Sequence, residues 1–170
     1  MESEIINRVA ASPLRTFDLE TLYTPGTRVE LDIKDQLYQG LMLREQPFRE
    51  WIKTHHWAQY QHQFVAINCS ADAIVPTWAY MLVAIALQPY ATKVVFGTRA
   101  ELEHQIYLEK FNQINFAEFQ HAKVVIKGCS KVEVPVSVYV EATNRLRPVV
   151  ASLMFGEPCS TVPLFKAKKI

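Results

Sequence analysis

Apolar and polar positions alternate loosely in the first third of the chain and regularly after it. Residues 2–10 place Ile5, Ile6 and Val9 on one helical face, and Ser12-Pro13 ends that segment. Residues 18–22 fit a single helical turn, followed by a turn at Pro25-Gly26. Val29, Leu31 and Ile33 alternate with Glu30 and Asp32, the period of a half-buried strand. Residues 37–43 fit a second strand or a helical turn equally well. Residues 47–57 read as a helix that starts at Pro47 and keeps Phe48, Trp51 and Ile52 on one face.

From residue 64 the pattern settles. Apolar strands are expected at 64–67, 93–96 and 123–126, with helices at 76–88, 99–114 and 135–145 between and after them. The helix over 76–88 is apolar nearly all round and is expected to be buried on most sides. The helix over 99–114 is amphipathic. Pro148 kinks or restarts the last helix, and residues 155–170, with Gly156, Pro158 and Pro163, are expected to be extended or looped. Strand and helix in alternation imply right-handed crossovers and a parallel sheet covered on both faces. The expected fold is α/β: a small three-layer sandwich with a mainly parallel sheet, an N-terminal edge strand and added helices. At 170 residues, with no low-complexity linker, the chain reads as one domain, 1–170.

Composition narrows the function classes. Hydrophobic residues make up 49% and charged residues 21%, ordinary for a soluble globular protein. A net charge of +1 gives no footprint for nucleic acid. The one basic cluster is the tail Lys166, Lys168, Lys169. The N-terminus carries acids and no long apolar region, so it is not a secretory signal. The longest apolar run, 75–87, is broken by Pro76 and Thr77 and is shorter than the roughly 20 residues that span a bilayer. These features point to the cytoplasm, with no membrane partner, and leave self-association open. Three cysteines, an odd number, suit a reduced compartment.

Those cysteines carry the candidate chemistry. Phe64-Val-Ala-Ile-Asn-Cys69-Ser leads to Val75-Pro76, and Val124-Val-Ile-Lys-Gly128-Cys129-Ser leads to Val134-Pro135. Cys159-Ser160 also precedes Val162-Pro163. The echo is too short to establish an internal repeat. Cys69 and Cys129 each follow a strand, so both are expected at the carboxyl edge of the sheet. A 2-1-3 strand order would make the two Cys-bearing strands neighbours about 4.8 Å apart. Helix starts after Pro76 and Pro135 would favour thiolates. Cys159 joins them only if Pro148 breaks the last helix and residues 149–154 turn back. Three converging thiolates would hold zinc or an iron–sulfur cluster, with Asp72 as fourth ligand and Glu157, His55 or His56 as further options. Against this stand three buried structural cysteines, each a small hydrophobe. Trp78 and Tyr80 read as core or pocket wall, and Asp72 reads equally as a cap for the helix after Pro76.

The chain resembles a group of bacterial proteins catalogued as domain-of-unknown-function family 2480. The resemblance covers nearly the whole chain. It rests on Glu4-Ile-Ile-Asn-Arg-Val9, Leu31-Asp-Ile-Lys-Asp35, Gln39-Gly-Leu-Met-Leu-Arg-Glu45, the stretch from Cys69 to Tyr80, Lys127-Gly-Cys-Ser130, Leu146-Arg-Pro148 and the stretch from Phe155 to Pro163. It implies no assigned activity. It does imply a neighbourhood with iron–sulfur assembly proteins, hence a role near metal or sulfur handling and such proteins as partners.

Three functions are therefore weighed. The first is a cytoplasmic metal-binding protein, zinc or iron–sulfur, using Cys69, Cys129, Cys159 and Asp72. The second is a cysteine-thiolate enzyme or sulfur carrier at Cys69 or Cys129. The third is a non-catalytic interaction module using Trp51 and Trp57.

Overall fold

A computed structural model describes residues 14–128, 131–157 and 159–167. The helix expected over 2–10, Cys129, Lys168 and Lys169 lie outside the described residues. In chain order the strands are β1 (Leu14–Asp18), β2 (Arg28–Asp32), β3 (Leu37–Tyr38), β4 (Met42–Leu43), β5 (Phe64–Asn68), β6 (Lys93–Phe96), β7 (Lys123–Lys127), β8 (Ser152–Glu157) and β9 (Ser160–Lys166). The helices are α1 (Glu45–Thr54), α2 (Thr77–Leu87), α3 (Arg99–Phe111) and α4 (Val136–Leu146). This is a mixed α/β architecture with mainly parallel sheets, as the alternation predicts.

The chain divides into two compact units. One is continuous, Thr24–Ile106. The other is split, Met1–Tyr23 with Tyr107–Ile170, so the continuous unit is inserted into it.

In the continuous unit the sheet order is β2-β5-β6, all parallel. The first four residues of β5 are buried, as befits a central strand covered on both faces. Val65 and Ile67 pack with Ala79, Val83 and Leu87 of α2 and Phe48 of α1. Phe64 and Ala66 point the other way, onto Leu102 and Ile106 of α3. The sheet thus lies between two helical layers. Ala79, Val83 and Leu87 recur every four residues, one stripe of an α-helix. Pro76 caps α2 with extended backbone, φ −63° and ψ 140°, because its ring fixes φ and it has no amide to donate. A buried ion pair, Arg28 Nε to Glu103 Oε2 at 2.8 Å, ties β2 to α3.

In the split unit the order is β1-β7-β8-β9, parallel except for the terminal β8–β9 hairpin. Val124 and Ile126 of β7 pack against Val138, Ala142 and Leu146 of α4 and against Phe17 of β1. Helix α4 stops at Leu146, just ahead of Pro148, and the chain turns back into β8 beside β7.

The two units repeat one plan. Helix α4 starts 59 positions after α2, β8 starts 59 after β6, and β7 starts 59 after β5. The buried stripes Ala79, Val83, Leu87 and Val138, Ala142, Leu146 keep the same spacing. Ahead of each central strand a 3-10 turn, Trp57–Tyr60 or Phe116–Phe119, leads to Gln-His. His62 and His121 both take a left-handed backbone, φ 60° and 59°. Each donates its amide to an equivalent carbonyl, Tyr90 at 2.9 Å and Val149 at 2.8 Å. Gly97, just after β6, and Gly156, near the end of β8, sit at φ 134° and 121°, a region where an L side chain is strained.

This topology corrects one expectation. The strands ahead of Cys69 and Cys129 are β5 and β7, and they belong to different sheets. They are not neighbours, because each is the centre of its own parallel sheet.

Candidate functional site

Strand ends meet polar groups first in the continuous unit. Asp32 ends β2 and Ser70 follows β5, its parallel neighbour. Asp32 Oδ1 accepts from the Ser70 amide at 3.1 Å and the Lys34 amide at 3.0 Å, and Oδ2 accepts from Ser70 Oγ at 2.5 Å. Burial acts to raise the Asp32 pKa, but the Ser70 hydroxyl, the two amides and the Lys34 charge together hold it below its ordinary value. Burial pushes the Tyr80 phenol up, and negative charge at Cys69 and Asp32 pushes it the same way. The Cys69 thiol is half-buried, with the Ala71 carbonyl, at 3.9 Å, as a weak acceptor.

The expected metal ligands are spread over separate elements of the fold. Cys69 lies after β5 in the continuous unit, and Cys159 lies exposed in the β8–β9 turn of the split unit. Cys129 is outside the described residues. Asp72 is exposed on the loop after Ser70. Glu157 is engaged by Lys127, Nζ to Oε2 3.4 Å. His55 is stacked among Trp51, Trp57 and Tyr60, and its Nε2 lies 3.2 Å from the Tyr60 hydroxyl. Among the described residues no group of three His, Cys, Asp or Glu side chains is placed to hold a metal ion. The metal-binding function is therefore withdrawn, and with it the shared two-thiol crevice, because the sulfur-bearing strands end in separate sheets. The tryptophan surface does not form either. Trp57 is buried, with its Nε1 donating to Ile52 O at 2.7 Å, and Trp51 packs on Phe48 and Trp57.

What the structure does bring together is apolar. Beside α2 and β6 a groove of about 450 Å³ is lined by Ile67, Thr77, Tyr80, Met81, Ala84, Val94 and Phe96. The rings of Tyr80 and Phe96 meet edge to face, centroids 4.8 Å apart at 72°. A second hollow of about 430 Å³ shares Ala84 and Val94 and follows β6 to Lys93. In the split unit an equivalent groove of about 480 Å³ lies beside α4 and β8. Ile126, Val136, Tyr139, Val140, Thr143 and Phe155 stand there 59 positions after Ile67, Thr77, Tyr80, Met81, Ala84 and Phe96. Tyr139 and Phe155 again meet edge to face, at 5.8 Å and 82°.

One element differs between them. Strand β8 carries β9 antiparallel on its outer edge, and Leu164 of β9 enters the groove. Strand β6, its counterpart, pairs with β5 alone among the described residues. Phe96 is 66% exposed where Phe155 is 42%. Met81 and Ile85 of α2 are 60% and 63% exposed. The all-round apolar character of α2 suggested burial on most sides. In fact only Ala79, Val83 and Leu87 are buried, and the opposite face is bare. No helix among the described residues is long and apolar enough to cross a membrane.

A protein-family model described as "Protein of unknown function (DUF2480)" matches residues 3–167. The chain belongs to that family, as the motifs around Cys69, Gly128 and Phe155 suggest. No curated protein and no solved structure matches it.

Proposed function

We propose that this member of the DUF2480 family is a protein-docking component whose continuous unit accepts one extended strand on the outer edge of β6. The single observation that carries the reading is the contrast between the two copies of one plan. Strand β8 wears an antiparallel strand, and among the described residues β6 does not.

Three features support it. An unpaired edge offers a row of amides and carbonyls to an incoming backbone. The groove beside it offers Phe96, Met81 and the Tyr80 ring to alternate side chains of that strand. A helix apolar on both faces, bare on one, marks a surface meant to be covered. Leu164 of β9 shows one thing that such a strand contributes: a branched apolar side chain lining the groove that Tyr139 and Phe155 also line.

The test uses a synthetic peptide with the β9 sequence, Ser160-Thr-Val-Pro-Leu-Phe-Lys166, titrated into the full-length protein. Saturable binding is expected, weakened at least about tenfold by Phe96→Glu, a shift of about 1.4 kcal/mol. Phe96 is exposed, so the variant keeps its fold, as its circular dichroism will report. Failure of the monomeric protein to bind, or equal binding by Phe96→Glu, rejects the reading.

A further inference from the structure

Resting on the strand-accepting reading, we infer that the strand seated on β6 is the β6 of a second copy of this chain. The two strands run antiparallel about a two-fold axis, and two three-stranded sheets join into one.

The hand of the pairing comes from the split unit, where β9 covers the β6 counterpart antiparallel. A strand paired antiparallel with its own copy is the sheet continuation that a two-fold axis closes, leaving no further edge to propagate. An axis normal to the sheet keeps each face on its own side, so opposed residues must share a face. The axis therefore falls midway between the two copies of one residue, which oppose each other.

Centred on Val95, the pairing sets Val94 of each copy opposite Phe96 of the other. Val94 and Phe96 both line the groove, so each ring is laid across the partner's groove, as Phe165 of β9 stands opposite Leu153, the counterpart of Val94, in the split unit. An aromatic ring against a β-branched side chain is a favourable cross-strand pair. Lys93 falls opposite Gly97, so the two lysines are not set against each other, as like charges directly opposed would be unfavourable. Strand β6 also lacks proline and any inward-pointing charge among Val94, Val95 and Phe96, devices that otherwise keep an edge single. The face of α2 carrying Met81 and Ile85 flanks the same edge and is covered with it.

Sedimentation equilibrium of the full-length protein across micromolar concentrations tests this. A mass twice the 19.5 kDa of one chain is expected, with dissociation at least about tenfold easier for Phe96→Glu. The β9 peptide is expected to compete with the dimer. Opposed Cα atoms in such a pair lie within reach of a disulfide. In a chain with its three native cysteines changed to serine, Val95→Cys is therefore expected to cross-link two copies on oxidation, and Lys93→Cys is not. A monomer that binds the peptide overturns the self-pairing and leaves the strand-accepting reading in place. A monomer that ignores the peptide removes both. A dimer indifferent to Phe96→Glu, with no cross-link through position 95, also overturns the inference.

Discussion

Asp32 takes both the hydroxyl and the amide of Ser70, at 2.5 and 3.1 Å, and so clasps the end of β2 to the loop that leaves β5. The clasp depends on a charged carboxylate. Its folded pKa lies below its ordinary 3.8, so its contribution is complete above that value and is lost as pH falls through the folded one. Asp32→Asn is expected to lower stability at neutral pH. The gap from the parent should then close below about pH 4. Denaturant titrations at pH 7 and pH 3 will show it, and a gap that is constant across that range would contradict it.

Arg28 and Glu103 are 2% and 9% exposed at their side chains and are joined by two hydrogen bonds of 2.8 and 2.9 Å. Arg28→Ala leaves Glu103 desolvated and without that partner, which is expected to cost about 3–5 kcal/mol. The double change Arg28→Met with Glu103→Leu removes both charges and is expected to recover much of the loss. The difference between the single and double variants, read by urea unfolding, measures the orphaned charge rather than the pair.

At His62 and His121 the backbone, not the ring, is the constraint. Both sit at φ near 60°, a conformation that costs an L residue about 1–2 kcal/mol and glycine almost nothing. His121→Gly is expected to hold or raise the melting temperature, despite the flexibility it adds to the unfolded chain. His121→Val is expected to lower stability by about 1 kcal/mol or more, because a branched side chain suits that region worst. The same pair of changes at His62 should behave alike, and a difference in sign would break the equivalence of the two units.

His55 gives a second acid-sensitive point. Burial, and then the neighbouring His56, keep its imidazole below the ordinary 6.5. Neutral His55 is the folded form, so the stability it lends is full above 6.5 and falls as pH drops through the folded value. His55→Gln is expected to flatten the stability profile between pH 7 and pH 5. Monitoring the fluorescence of Trp51 and Trp57, whose rings lie 5.0 and 4.6 Å from His55, reads the same titration locally.

Much of the fold was legible because its signals are local. The all-apolar run Phe64-Val-Ala-Ile announced a central strand, Pro76 and Pro135 announced helix starts, and Lys93–Phe96 was bounded correctly at both ends. Strand β1 was missed because Leu14–Asp18 is short and finds its partner β7 more than a hundred positions away. The hairpin β8–β9 was read no further than extended or looped because Gly156, Pro158 and Pro163 punctuate its sequence, and the pairing absorbs Pro163 beside a register shift at Leu153/Met154. The duplication hid for a different reason. It is kept in burial, backbone shape and scattered identities such as Tyr80/Tyr139, Phe96/Phe155 and Gly97/Gly156, while residues between them differ: Val83 answers to Ala142 and Thr77 to Val136. The inserted Gly128 also puts the Cys-Ser echo at 60 while the helices repeat at 59, so the most visible match was out of step with the true one.

The candidate site was illegible for a related reason. Hydrophobicity in α2 says that a surface will be covered, but not by what. Met81, Ile85 and Phe96 look like core residues until the sheet order shows that β6 has no outer neighbour among the described residues. The cysteines drew attention through their chemistry, although the topology puts β5, ahead of Cys69, in a different sheet from β7 and β8.

The splitting of one unit by the other bears on how the chain is made. A ribosome releases Leu14–Asp18 early, but the strand it must pair with, Lys123–Lys127, emerges only after the whole of Thr24–Ile106. The inserted segment is complete, with its own sheet and helices, before that first strand has anything to join. Vectorial synthesis therefore favours assembly from the middle outward, with Leu14–Asp18, translated ahead of the inserted unit, docking after it.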